Sequence, residues 1–367
     1  MPVGFLVRAD PGTRLVANGS VLVGGSPVRV LRLTPAGARQ VAGWLTGAPV
    51  TDNVAARKLA RRLLDAGIAH PVFAPTGAAD PASVTPASAS ARAATPASET
   101  ALTPGDVTVV IPVRDRHAEL GRCLAGLRKA AVALGDDAPS VVVVDDCSAD
   151  AGAIAAIAAG GGARVIRRAV NGGPGAARNT GLAAVATELV AFLDSDCVPR
   201  AGWLEGLLAH FADPAVGAVA PRIVPHEEGT GWLARYEGAS STLDMGARPS
   251  IVRPGARVSY VPGAALVVRG SAAGAGFTEG MFVGEDVDFV WQMAAAGWRV
   301  RYEPAALMGH DHRVRLRAWF SRRADYGTSA AALEQLHPGA VRPLYASWWT
   351  AGAWAAALSR RPVAGPR

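Results

Sequence analysis

Between residues 107 and 194 the chain alternates two kinds of segment. "VTVVIPV" (107–113), "VVVVD" (141–145), "ARVIRR" (163–168) and "LVAFLD" (189–194) read as short strands, all but the third of them largely apolar. Between them lie "RHAELGRCLAGLRKAAVAL" (116–134), with Leu120, Leu124 and Leu127 at helical spacing, "DAGAIAAIAA" (150–159), and "GPGAARNTGLAAVA" (173–186). A strand with one wet face alternates polar and apolar residues. Most of these runs do not, so they fit strands covered on both sides. The alternation of such strands with helices predicts an α/β unit with a Rossmann-like, mostly parallel sheet.

In open sheets of this kind ligands sit beyond the carboxyl ends of the strands. This chain places polar groups there in every case. The first run ends in Pro112-Val113-Arg114-Asp115 and the second in Asp145-Asp146-Cys147-Ser148. The third leads into Asn171-Gly172-Gly173-Pro174-Gly175, with Arg178 in the helix after it, and the fourth ends in Asp194-Ser195-Asp196. If Asp194 and Asp196 continue the strand, their side chains point the same way and repel. Such a pair calls for a cation, a basic side chain or water.

The chain has 367 residues, half of them hydrophobic, enough for one large or two ordinary domains. Its net charge of +7 is carried almost wholly by Arg, with Lys58 and Lys129 the two lysines. No dense basic block with interleaved aromatics is present, which argues against nucleic acid as a partner. Cys123, Cys147 and Cys197 form neither a disulfide framework nor a zinc spacing. The first residues do not read as a signal peptide, so the expected location is cytoplasmic. "PLYASWWTAGAWAAALS", near the end, is too short and broken for a bilayer span and predicts at most peripheral membrane contact.

Four regions are expected. Residues 1–75 read as a small winged-helix-like α+β module: short strands with Asn-Gly and Gly-Gly turns, then two helices. Thr34 and Pro35 open the first helix, and Gly67 stops the second. Residues 76–105 are dominated by Ala, Pro, Ser and Thr and predict a disordered linker. A flexible tether of this length would let the module deliver a ligand to the next unit. The α/β unit follows over 106–312. Residues 313–367 are a helical, partly apolar extension that reads as the start of something longer.

"VIPVRDR", "VVVVDDCSAD", "NGGPGAARNTGL", "VAFLDSDCVP" and "GEDVDFVWQMAAAGWRVRYEPAALMGH", in this order, resemble the family 2 glycosyltransferases of GT-A fold. The resemblance implies a nucleotide-sugar donor, a UDP-sugar first of all, a Mg²⁺ or Mn²⁺ ion, and inversion at the anomeric carbon. It implies that Asp145 and Asp146 hold the base and ribose, with Cys147 where the family commonly has Gly or Asn. It places Pro112, Arg114, Gly173, Arg178, Asp194 and Ser195 with the nucleotide sugar. Asp194 and Asp196 match the DxD motif, and with His310 they form the implied metal set. Asp286, with Glu285 second, is the implied catalytic base. Trp203 and Trp291 are open to two readings, stacking on sugars or core packing.

The module-plus-catalytic-unit arrangement further resembles the glycosyltransferases of mycofactocin systems, and the module is similar to PqqD-like peptide-recognition domains. That implies a peptide-derived redox cofactor as acceptor, hexosylated from UDP-glucose. A polysaccharide or lipid acceptor is the alternative. A non-catalytic nucleotide-sugar or peptide-binding scaffold is the alternative of another class.

Overall fold

A computed structural model describes residues 5–73, 102–227, 229–311, 316–341 and 348–358. The linker expected over 76–105 lies outside the described residues up to residue 101.

The N-terminal module comprises β1 (Leu6–Ala9), β2 (Arg14–Val16), β3 (Val21–Gly24), β4 (Arg29–Arg32), α1 (Pro35–Leu45), α2 (Val54–Asp65) and β5 (Ala69–Val72). Strands β2, β3 and β4 form an antiparallel meander, and β1 pairs with β5. Thr34 accepts the Gly37 N–H and Asn53 accepts those of Ala55 and Ala56, so both helices begin where a side chain satisfies an orphan donor. Leu22, Val41, Trp44, Leu63, Leu64 and Ile68 make the module's own core.

The α/β unit continues with β6 (Val107–Val113), α3 (His117–Ala131), β7 (Ser140–Asp145), α4 (Ala151–Gly160), β8 (Arg164–Arg167), α5 (Gly173–Ala183) and β9 (Leu189–Leu193). Then come β10 (Cys197–Pro199), α6 (Trp203–Leu208), β11 (Val216–Pro225), α7 (Trp232–Ser240), β12 (Ser250–Val252) and β13 (Ala265–Arg269). The described chain closes with α8 (Glu285–Ala295), β14 (Arg299–His310), α9 (Leu316–Leu336) and α10 (Trp348–Leu358).

The sheet is mixed, not mostly parallel as the sequence predicts. Strands β8, β7, β6 and β9 run parallel. Beyond β9 the direction breaks: β13 is antiparallel to both β9 and β11, while β14 is parallel to β11 and antiparallel to β10 and β12. A strand buried on both faces is apolar whichever way it runs, so its hydropathy carries no direction. The register sorts side chains to two cores. Val107, Val109 and Ile111 pack with Leu120, Ile154 and Leu204 from α3, α4 and α6. Val110 and Val190 pack on the other side with Ala177 of α5, Phe289 of α8 and Leu333 of α9. Trp203 is buried in the first core, so of its two readings core packing holds.

The module is docked against the α/β unit, not merely tethered to it. Arg61 of α2 makes a two-pronged ion pair with Asp213, both bonds 2.6 Å. Arg299 grips Asp65 in the same way at 3.1 and 2.9 Å, and Arg257 reaches Asp10 at 3.0 Å. Burial would raise the Asp213 carboxyl, but Arg61 more than offsets it and holds the group below its usual value. Asp213→Ala is expected to cost about 3–5 kcal/mol, because it strands Arg61 without its partner and removes the largest of the negative charges that offset the buried Arg301. A depressed carboxyl stabilises above its unfolded pKa and ceases to as pH falls through the folded value. Urea denaturation should therefore show the difference at neutral pH and its loss in acid. No helix among the described residues is long and apolar enough to cross a membrane.

Candidate active site

The carboxyl ends of β6, β7 and β9 open into a cavity of about 1560 Å³. Pro112, Arg114, Asp146, Gly173, Arg178, Asp194, Ser195, Asp196, Glu285, Asp286 and His310 all line it. Asp145 does not. It is the last residue of β7 and buried, with Oδ1 accepting the Ser148 N–H at 2.9 Å and Oδ2 paired with Arg167. These contacts shape the turn that presents Asp146.

Asp146 in turn fastens the glycine segment. Its oxygens accept the N–H groups of Gly172 (3.0 Å) and Gly173 (2.8 Å) and the Arg168 Nε–H (2.8 Å). Gly173 has φ +84°, and a Cβ there would stand 2.8 Å from the Phe282 ring, so only glycine fits. Cys147 has φ +63°. That is the left-handed region in which Gly or Asn is at ease, the residue types it replaces in the sequence motif.

Asp194 and Asp196 are not successive positions on one strand face. β9 ends at Leu193, and a turn closed by the Cys197 N–H on the Asp194 carbonyl separates the two side chains. Each has its own cation, which removes the expected repulsion. Asp194 Oδ1 accepts from Arg178 Nη2 at 2.7 Å. Asp196 Oδ2 is paired with Arg116, and its Oδ1 lies 3.4 Å from His310 Nε2. Residues far apart in sequence meet here because β10 pairs with the end of β14, setting Cys197 opposite His310. Burial would raise the Asp196 carboxyl, but His310 and Arg116 hold it below the usual carboxylate range.

Asp196 Oδ1 is buried and makes no hydrogen bond of ordinary geometry. A buried carboxylate oxygen facing an imidazole nitrogen is a donor set that fits a divalent cation. Cys197 lies within reach of the same point, but burial pushes its thiol well up and Sγ donates to the Ala264 carbonyl. It is packed as a thiol, not offered as a ligand. Asp194 belongs with Arg178 rather than with this pair.

Arg178 is 2% exposed and ties the two halves of the site together. Nη1 donates to Glu285 Oε1 at 2.8 Å while Nη2 serves Asp194, and the guanidinium sits 5.3 Å from the Phe277 ring centroid. Burial would lower its pKa, yet the charges of Asp194, Glu285 and Asp286 raise it. Asp286, at the start of α8, accepts the Gly263 N–H at 2.7 Å on Oδ2 and the Val287 N–H at 2.8 Å on Oδ1. Each oxygen keeps a lone pair free. Trp291 lines the cavity and donates to the Ser259 carbonyl at 2.7 Å.

Glu285 is pushed up to about 7, by burial first and by the Asp286 charge second, against the pull of Arg178. The folded protein then binds more protons than the unfolded chain from the ordinary value of 4.5 up to about 7. Stability therefore falls as pH rises through that window. Glu285→Gln is expected to flatten the fall by roughly 1–3 kcal/mol, read by urea denaturation near pH 5 and pH 8. An unchanged slope would place the titration elsewhere.

Some lining residues escape the sequence reading. Arg116 stands inside the "VIPVRDR" motif, two residues past Arg114, and a search for a counter-charge to Asp196 finds it. Arg322 and Tyr326 of α9 also line the cavity, with the guanidinium 5.3 Å from the ring. Tyr260 and the Gly25–Val28 turn of the N-terminal module do so too, and no local pattern announces them.

Residues 108–272 match the family described as Glycosyl transferase family 2. The chain is 45% identical over 358 residues to the pre-mycofactocin glycosyltransferase of Mycobacterium tuberculosis, covering 96% of this chain and 68% of that protein. Among solved structures, the mannosyltransferase PcManGT from Pyrobaculum calidifontis, in complex with GDP-Man and Mn²⁺, superposes with TM-score 0.46 at 19% identity, covering 71% of this chain and 82% of that one. Staphylococcus aureus TarS in complex with UDP-GlcNAc gives TM-score 0.45 at 22% identity, covering 57% and 59%. The family profile and the M. tuberculosis relative, added to the strand-end carboxylates, establish that this chain belongs to the family 2 glycosyltransferases, with the GT-A-like α/β fold of that family.

Proposed function

We propose that the protein transfers glucose from UDP-glucose to a hydroxyl of pre-mycofactocin, a peptide-derived acceptor, with inversion at the anomeric carbon. The observation that carries this reading is the juxtaposition in one cavity of the Asp196–His310 pair with the carboxylate of Asp286. The acceptor rests on the M. tuberculosis relative's name. The N-terminal module, on this reading, is the PqqD-like element that recognises the peptide-derived part.

Asp196 and His310 would hold Mg²⁺ or Mn²⁺. When bound, such an ion supplies Lewis-acid neutralisation of the departing diphosphate. Arg116 and Arg114 add positive charge on the same wall, and Asp146 fixes the glycine turn against which the nucleotide lies. Asp286 takes the proton of the acceptor hydroxyl as its oxygen attacks the anomeric carbon from the face opposite the diphosphate. The new carbon–oxygen bond forms as the bond to the diphosphate breaks. UDP leaves with the electron pair, and the proton rests on Asp286. Arg178 keeps Glu285 and Asp194 from adding unpaired charge around that step.

The test is release of UDP from UDP-glucose in the absence of acceptor, with Mn²⁺, Mg²⁺ or EDTA. Slow, metal-dependent release is expected. Release indifferent to EDTA would remove the metal from the reading, and failure to bind any UDP-sugar would remove the donor.

A further inference from the structure

We propose that the Gly25–Val28 turn of the N-terminal module is a wall of the acceptor site, holding the apolar part of the acceptor while its hydroxyl faces Asp286. This rests on the glycosyl-transfer reading and deepens it. The cavity, at about 1560 Å³, exceeds the roughly 300–1,000 Å³ that a single ligand ordinarily fills, so it has room for donor and acceptor together. Its lining crosses from one unit to the other: Gly25, Ser26, Pro27 and Val28 share it with Asp286 and Tyr260.

The turn is fixed in that position from both sides. Ser26 is buried, with Oγ accepting the Arg257 N–H and its carbonyl accepting from Arg253 Nη2 at 3.3 Å. Gly25 has φ +89° and runs so close to the module's Ala66 carbonyl that a Cβ would stand 2.3 Å from it. The segment that anchors Ser26 goes on to Tyr260, whose phenol is raised by burial and then by the Asp286 charge. A continuous wall therefore runs from the base, through Tyr260 and Arg257, to the module. At its far end Val28 lines the cavity and is 74% exposed. The fastened turn holds this valine at the edge of a cavity whose inner part carries Asp286 and the other carboxylates. What suits it is the apolar face of a small molecule whose hydroxyl end is inside.

The experiment uses the full chain, UDP-glucose, Mn²⁺ and pre-mycofactocin. Val28→Asp puts a carboxylate at the wall on an exposed position, where folding tolerates it. It is expected to raise the acceptor KM roughly tenfold or more, with the affinity for UDP held at the wild-type value. Val28→Ile, which keeps the apolar surface, is expected to restore the wild-type KM. Val16→Asp, on the module's exposed β2, is expected to leave KM alone. An unchanged KM in Val28→Asp, with transfer intact, would overturn this proposal and spare the glycosyl-transfer reading. An equal rise in Val16→Asp would reduce the effect to module charge and overturn it as well. If the wild type binds no UDP-sugar, the glycosyl-transfer reading itself falls and this proposal with it.

Discussion

Asp196→Ala is expected to abolish metal-dependent UDP binding and to lower turnover on the order of 10³-fold or more, the equivalent of several kcal/mol of lost charge stabilisation. The substitution removes the carboxylate whose buried Oδ1 faces His310, leaving one neutral imidazole and no anionic oxygen for a hard cation. The same change strands Arg116, which now pairs with Asp196, so the variant should also be less stable than the wild type. Two repelling carboxylates would have predicted the opposite, relief on removing one. Calorimetric titration with UDP, with and without Mn²⁺, separates the effects. Turnover within tenfold of wild type would dismiss this pair as the metal site.

Asp286→Asn is expected to keep UDP and metal binding and to lose about 10²–10⁴-fold in kcat, the usual contribution of a positioned base. The amide cannot accept the hydroxyl proton. It also cannot serve both backbone donors now on the carboxylate, the N–H groups of Gly263 and Val287. One of them will meet an NH₂ group, at a cost of about 1–3 kcal/mol. Melting temperature must therefore be measured beside kcat. A loss of UDP affinity with kcat at saturating donor preserved would move Asp286 out of the base position.

The parallel half of the sheet was legible because β6, β7 and β9 are apolar runs with carboxylates at their ends, and β8, with Arg at either end, falls between two helical segments in the same alternation. The antiparallel half was not: β13, "ALVVR", reads like any doubly buried strand. Two adjacent acids at a strand end cannot both face the cavity, since successive side chains alternate. That rule predicts that one of Asp145 and Asp146 turns away, but the turn that presents Asp146 decides which. The DxD pair misled in the opposite sense, because a turn at Asp194 breaks the alternation that an extended strand would impose. His310 was legible only through the motif. Its approach to Asp196 follows from the β10–β14 pairing across more than a hundred residues, for which no local pattern exists. The docking of the module was illegible for the same reason. Arg61 and Asp213 are 152 residues apart, and charged side chains on distant helices and turns carry no periodic signal of their partners.

Inverting transfer to a hydroxyl, by a base on the face opposite the diphosphate, is tested most directly by the anomeric configuration of the product. The full chain would be incubated with UDP-glucose, Mn²⁺ and pre-mycofactocin, and the product examined by mass spectrometry and proton NMR. UDP-glucose is α-linked, so single displacement predicts a hexosylated acceptor with a β-linked glucose. An α-linked product would contradict the role given to Asp286, and an unmodified acceptor alongside bound UDP-glucose would contradict the acceptor assignment.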